Sequence, residues 1–440
     1  MRTLLIASLS LALFAPTGSA GQFDLPSGFN LESAPGTGSV FGTLLDGTVL
    51  KSTGSFGADS LLAVQPDGST LLFATGFGSL AGVAQSEVSG EIVVGDSFFM
   101  PSLWSLADLN GDGDALDAGE MVPYVVQPPV LSNGAAPLPF DLAFAPGTDD
   151  LYMSGSTPFG VSPTLGVVTR SSGGAVAVYG DSMGFAGNMV FSGGSLYISD
   201  LDASTFVGRV LTLTDGNGDD DALDMGEAIE FASGLTGAGG LVQVADGSFY
   251  LSGMSDTVDF SGCVGRLLPD LNNDGVSDGL EECVFDGFVF AGGLTLIEGA
   301  GGFTAGAAGM GTLYVGDFSF SGDRTIRSAP LATTSVTGDV GPNSLVTVTV
   351  GGAPGAGALF GISLDTNGST LFGIGDLGFG FNAPAALSPV FTVDGAGVAD
   401  IDLLFRALPA LVGQPLVIQG FTIEGSAVGI ANPLDFVFGS

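Results

Sequence analysis

Histidine is absent from this sequence. That absence removes Ser-His and Cys-His nucleophile activation, histidine-ligated zinc and histidine proton shuttling. Basic residues are nearly as scarce, with eight Lys and Arg against 46 Asp and Glu and a formal charge of -38 over 440 residues. A phosphate backbone or an anionic membrane surface would repel such a chain, so nucleic acid is excluded as a partner. Charged residues make up only 12% of the total, about half the usual share. The 45% hydrophobic content excludes a disordered protein and is enough for two or three domains with sizeable cores. Long hydrophobic runs are also lacking, because no stretch reaches the roughly 20 residues that a spanning helix needs. Residues 403–418 come nearest, and Arg406, Pro409 and Gln414 interrupt them.

What is present begins with a secretory signal over residues 1–20. Met1-Arg2 precedes an apolar stretch from Leu4 to Ala15, and Gly18-Ser19-Ala20 supplies the small residues of a cleavage site before Gly21. The mature protein is expected to be secreted or held at the cell surface, without a transmembrane segment. An exported chain with two cysteines is expected to pair them, here Cys263 with Cys283. In the chain-entropy account a loop of that size is worth about 3 kcal/mol.

A seven-residue phrase recurs six times, at 47–53, 90–96, 149–155, 194–200, 247–253 and 311–317. Gly-Ser-Leu-Tyr-Ile-Ser-Asp at 194–200 and Gly-Thr-Leu-Tyr-Val-Gly-Asp at 311–317 show it clearly. Each copy is a turn followed by three apolar residues and then small or acidic ones, the pattern of a short strand buried on both faces. A second apolar stretch precedes most copies, as in Phe140-Asp141-Leu142-Ala143-Phe144 and Gly187-Asn188-Met189-Val190-Phe191. Further strands follow, such as Arg209-Val210-Leu211-Thr212-Leu213 and Ala228-Ile229-Glu230-Phe231. Helical periodicity is missing throughout. Four short antiparallel strands per repeat match the blade of a β-propeller, and six copies imply six blades. The rival architecture, a parallel β-solenoid, has shorter coils than these repeats.

On the repeat number and the Gly-x-Leu-Tyr phrase, residues 21–330 resemble six-bladed propellers of the NHL and SMP-30-like gluconolactonase kind and of soluble glucose dehydrogenases. The fold expected is all-β, a six-bladed propeller followed by a small β-sandwich over 331–440, where strand-like segments alternate with Gly/Pro/Asn turns. Gln419-Gly420-Phe421 and Ala431-Asn432-Pro433-Leu434 resemble a C-terminal β-module of exported bacterial proteins.

Three acidic loops carry the chemistry, starting at Asp108, Asp215 and Asp270. Oxygen ligands at loop positions 1, 3 and 5 wrap a hard cation, a glycine at 6 permits the turn, and a glutamate at 12 closes the shell. The third loop satisfies each element and resembles the calcium loops of EF-hands, dockerins and thrombospondin type 3 repeats. Its expected ligands are Asp270, Asn272, Asp274, Val276, Asp278 and Glu281. The first loop offers Asp108, Asn110, Asp112, Asp114 and Glu120; the second offers Asp215, Asn217, Asp219, Asp221 and Glu227. Both place the glutamate at position 13, and the second puts Asp220 where the glycine belongs, so one extra residue must be absorbed. Calcium is the expected cofactor, stabilising turns inside blades, and the disulfide would hold both ends of the third loop. The alternative is a solvated acidic hairpin without metal.

Trp104 and the tyrosines of the repeated phrase read as packing residues, and Arg209, Arg266, Arg324 and Arg327 as partners of the many carboxylates. The expected function is a non-enzymatic, calcium-stabilised binding or cell-surface scaffold, with a protein or glycan ligand on the propeller face. The alternative is an SMP-30-like lactonase, whose central metal would be held by Glu, Asn and Asp side chains on inner strands. Asp141 and Asn188 are inner-strand candidates for it, but they stand isolated in the sequence among apolar neighbours.

Overall fold

The structure is a computed structural model that describes residues 25–33, 41–65, 69–97, 101–158, 166–202, 205, 207–255, 262–288, 291–298, 303, 305, 311–317, 323–365, 369–371, 375–377, 385–405, 411–424 and 427–439. The signal segment, its cleavage point and Arg406 lie outside the described residues.

The chain builds a six-bladed β-propeller followed by a β-sandwich, with no α-helix among the described residues. Each blade is a four-stranded antiparallel sheet, and the inner strands are Phe41–Thr43, Leu80–Gln85, Leu138–Phe144, Phe185–Ser192, Leu241–Gln243 and Ala291–Glu298. The repeated phrase forms the second strand of every blade. Val49–Ser52 and Leu151–Ser156 are buried along their whole length, because a second strand has a neighbouring blade on each face. The blade-6 copy is followed by one strand only, Arg324–Ser328. Its fourth strand is Phe29–Ser33, paired antiparallel from Phe29 opposite Ser328 to Ser33 opposite Arg324, so the start of the propeller closes its last blade.

Apolar side chains leaving the two faces of each sheet fill the seams between blades. Leu50, Leu61 and Phe73 of blade 1 pack on Val83, Val94 and Leu106 of blade 2. Val93 and Leu103 of blade 2, on the opposite face, pack on Leu142 and Met153 of blade 3. The next three seams are alike, and the tyrosines of the phrase sit in them: Tyr152 lies edge-on to Phe191, and Tyr197 lies against Phe249. The seam between blades 6 and 1 differs. There Lys51, the only lysine in the chain, forms an ion pair with Asp323, and the two are 1% and 0% exposed.

Beyond Ser328 a three-stranded sheet and a six-stranded sheet face each other across a core of Val346, Val348, Val350, Phe360, Ile401, Ile418 and Phe438. This sandwich grips the closing strand of the propeller. The Asn30 amide donates to Val428 O at 2.6 Å and its oxygen accepts from Ile430 N at 3.1 Å.

Candidate functional site

All three acidic loops join the third and fourth strands of their blades, in blades 2, 4 and 5. The first two are near copies. Asp108 Oδ1 accepts from Gly111 N at 2.6 Å and its Oδ2 from Gly113 N at 2.9 Å, while Asp215 accepts from Gly218 N at 2.6 Å and from Asp220 N at 3.0 Å. The N–H of Gly113, helped by those of Gly111 and Asp112, holds the Asp108 carboxyl below the ordinary carboxylate range. Glu120 and Glu227, at position 13, are buried and turn back to the start of the loop. They accept from Leu109 N at 2.9 Å and from Gly216 N at 3.0 Å. The extra residue is absorbed by a turn at the end of the loop, with Glu120 N on Asp117 O and Glu227 N on Asp224 O, both at 3.2 Å. Carboxylate oxygens of Asp215, Asp219 and Glu227 lie within 4.8 Å of one another, spacing that suits one hard cation.

At position 6 the glycines Gly113 and Gly275 have φ of +93° and +87°, and Asp220 adopts the same left-handed backbone at +74°. Its side chain serves the neighbouring blade, where Arg170 Nη1 donates to Asp220 Oδ1 at 2.8 Å while Arg170 Nη2 pairs with Asp150 at 2.7 Å.

The third loop closes differently. Asp270 accepts from Gly275 N at 2.8 Å, and Asp278 takes the returning role by accepting from Leu271 N at 3.0 Å. Glu281 faces Arg266 Nη1 at 3.2 Å and is half exposed. Asn272 reaches Asp278 Oδ1 at 3.1 Å and accepts from Asp274 N at 2.9 Å. The Cys263–Cys283 disulfide joins the strands flanking this loop, with Cα atoms 5.0 Å apart.

Position 8 shows a regularity that the spacing did not disclose. Ala115, Ala222 and Ser277 each donate their N–H to the outer strand of the preceding blade, at Phe73 O, Tyr179 O and Phe231 O, over 2.7, 2.7 and 2.9 Å. Every acidic loop is thereby bonded across a seam. The expected arginine pairs are present for Arg209 with Asp200 and for Arg266 with Asp246.

A second polar site lies on the inner strands. Asp141 of blade 3 reaches across to blade 4, where its Oδ2 accepts from Met189 N at 2.8 Å and Asn188 donates to it from its side chain. A register shift between Ala186 and Met189 turns Asn188 toward this contact. Glycines let the backbones come close here: a Cβ on Gly82 would fall 2.9 Å from Asp141 Cα, and one on Gly187 would fall 2.6 Å from Ser199 Oγ. Burial pushes the Asp141 carboxyl up to about 7 against the opposing pull of Met189, Leu142 and Asn188, and no cationic side chain contributes. A buried carboxylate beside a side-chain amide and lacking a cationic partner suits a hydrated hard cation, which binds through one or two carboxylates and keeps waters. Sequence reasoning missed this contact because the two residues are 47 positions apart. The departure of Asp141 and Asn188 from the apolar pattern of their strands was the available signal.

No family model matches the chain. Over 112 residues, 26% of its length, it is 35% identical to the adhesin BmaC autotransporter of Brucella suis biovar 1 (strain 1330), and it spans about 3% of that curated protein. Similar solved structures include a putative gluconolactonase (15% identical, 69% of this chain and 93% of that one, TM-score 0.46). A gluconolactonase from Xanthomonas campestris is 13% identical over 70% of this chain and 88% of its own, with a TM-score of 0.43. The calcium-binding protein regucalcin of Agrobacterium tumefaciens str. C58 is 16% identical over 69% and 94%, with a TM-score of 0.44. At these identities the likeness concerns the propeller fold. The expectation of a non-enzymatic scaffold is corrected. It rested on the isolation of Asp141 and Asn188, which the structure joins. Among the described residues no helix is long and apolar enough to cross a membrane.

Proposed function

We propose that this chain is an exported, divalent-metal-dependent hydrolase that opens lactones or comparable cyclic esters at the propeller axis. The observation that carries this reading is the pairing of Asp141 with Asn188 on adjacent inner strands, around a buried carboxyl that no cationic side chain offsets. Asp141 and Asn188 would hold a hard cation, which supplies Lewis-acid polarisation of an ester carbonyl when bound. The same two side chains, fixed by Met189 N and by the close backbone of Gly82, would set the position of the ester at the mouth of the axis.

Calcium in the three blade loops serves stability in this reading. Asp108, Asn110, Asp112, Asp114 and Glu120 would hold one ion, and Asp215, Asn217, Asp219, Asp221 and Glu227 another. In the third loop Asp270, Asn272, Asp274, Asp278 and the Val276 carbonyl would hold the third, with Glu281 engaged by Arg266.

The test is proton release from δ-lactones by the protein starting at Gly21, with calcium, magnesium, manganese or zinc supplied in turn. At least one cation should support hydrolysis, and Asp141→Asn should lose about a hundred-fold or more in its apparent affinity for that cation. Absence of hydrolysis with every cation, or an Asp141→Asn protein as active as the parent at limiting metal, would overturn the reading.

A further inference from the structure

The first two acidic loops each contain an Asn-Gly pair, Asn110-Gly111 and Asn217-Gly218, on exposed backbone. Such a pair can lose ammonia on its own. The Gly nitrogen attacks the Asn Cγ and gives its proton to a base, ammonia departs, and a succinimide ring forms. Water then opens the ring to aspartate or isoaspartate, so no other co-reactant is required. The third loop has Asn272-Asn273 at the same place and no glycine there to ease the approach.

In the folded loops both the attacking atom and the target are restrained. The Gly111 N–H is donated to Asp108 Oδ1 at 2.6 Å, and the Gly218 N–H to Asp215 Oδ1 at 2.6 Å. Those are charge-assisted bonds of the short, strong kind. The carboxamide of Asn110 is turned forward, accepting from Asp112 N at 2.9 Å and donating to Asp117 Oδ2 at 2.6 Å and Asp112 Oδ2 at 3.0 Å. Asn217 repeats the set with Asp219 N at 2.8 Å, Asp224 Oδ2 at 2.7 Å and Asp219 Oδ2 at 3.0 Å. The carboxamide carbon is therefore aimed at the residue after next while the nitrogen that would attack it is bonded backwards.

We propose that Asn110 and Asn217 are deamidation sites held closed by the folded loops, with Asp108 and Asp215 as the latches. The latch consists of the loop's own hydrogen bonds, so it works without a cation and stands apart from the hydrolase reading. Opening it would put a new carboxylate, or a backbone longer by one carbon, at the third position of the loop. The chain would thus carry a record of how long each loop had been unfolded.

The experiment incubates the protein starting at Gly21 at pH 8 with chelator and follows the mass gain at each asparagine in peptic peptides. Native protein should deamidate at both sites at least about ten-fold more slowly than urea-unfolded protein, as loss of one charge-assisted bond would require. Asp108→Ala should accelerate Asn110 alone, and Asp215→Ala should accelerate Asn217 alone. Each variant's untouched loop reports whether the propeller has stayed folded. Equal rates in native and unfolded protein, or acceleration of both sites together in either variant, would overturn the proposal.

Discussion

Replacing Asp141 with asparagine removes one ionisable group from the inner strands while keeping the shape of the side chain and one acceptor oxygen for Met189 N. Burial pushes the carboxyl from its ordinary 3.8 up to about 7 in the fold. The fold therefore holds the proton more tightly than the unfolded chain does. On this account stability is fully present below pH 3.8, falls as the pH rises toward about 7, and stays at the lower level above it. With about 1.4 kcal/mol for each ten-fold in proton affinity, the loss between the two plateaus is on the order of 4 kcal/mol. Asparagine forfeits a hydrogen bond or part of one, about 1 kcal/mol, at every pH. The variant should then be slightly less stable than the parent at pH 4 and about 3 kcal/mol more stable at pH 8 in chelator. Urea unfolding of both proteins across that range supplies the comparison, and the difference between the two curves cancels the shared repulsion of the other carboxylates. If the two curves run parallel from pH 4 to pH 8, Asp141 does not change its protonation in the fold and the argument for an uncompensated charge fails.

Lys51→Met should cost about 3–5 kcal/mol in urea unfolding by leaving Asp323 charged and buried, and adding Asp323→Asn should return most of it; a double variant as weak as the single would show that the pair is not what closes blade 6 on blade 1. For Asp220→Gly, relief of the left-handed backbone, about 1 kcal/mol, opposes the loss of a mostly exposed contact to Arg170 worth no more than that, so the melting temperature should move by only a few degrees. A fall of more than about 10 °C would mean that the Arg170 bridge between blades outweighs the backbone term. Changing Cys263 and Cys283 together to serine should cost about 3 kcal/mol, measured under the same conditions. Trp104, the only tryptophan, lies four residues before Asp108 and packs in the seam of blades 1 and 2, so its fluorescence should follow calcium titration of the first loop; Glu120→Gln should weaken that titration, and an unchanged curve would remove Glu120 from the ligand set.

The parts of the fold legible in the sequence are those that depend on local order. A second strand with a blade on each face must be apolar at consecutive positions, which is why Leu151-Tyr152-Met153 and Leu196-Tyr197-Ile198 repeat as they do. The hydrogen-bonded turns of the acidic loops were legible for the same reason, since the cation shell we propose for each would fix the spacing of residues within one loop. The closing strand was not. Phe29–Ser33 carries no copy of the phrase, and its place as the fourth strand of blade 6 follows only from that blade running out of chain after Ser328.

The same distinction separates the loops from the inner-strand site. Within a loop the candidate donors are at most 12 residues apart, so the residue types at each position suffice to propose them. Asp141 and Asn188 come from different blades, and their meeting depends on the register of two strands and on a bulge that shifts one of them. Lys51 and Asp323 are 272 residues apart and meet because the ring closes. In both pairs a polar residue sits where the strand pattern calls for an apolar one. Burial makes such a substitution costly unless a partner arrives from elsewhere in the ring. The cost itself is the readable sign: a charged residue buried inside these strands implies a partner, and for Lys51 and Asp141 the partner groups come from an adjacent blade. For Lys51 the structure supplies that partner as Asp323. For Asp141 it supplies an amide and backbone N–H groups but no positive charge, and that difference is why we propose a cation at the second site and not at the first.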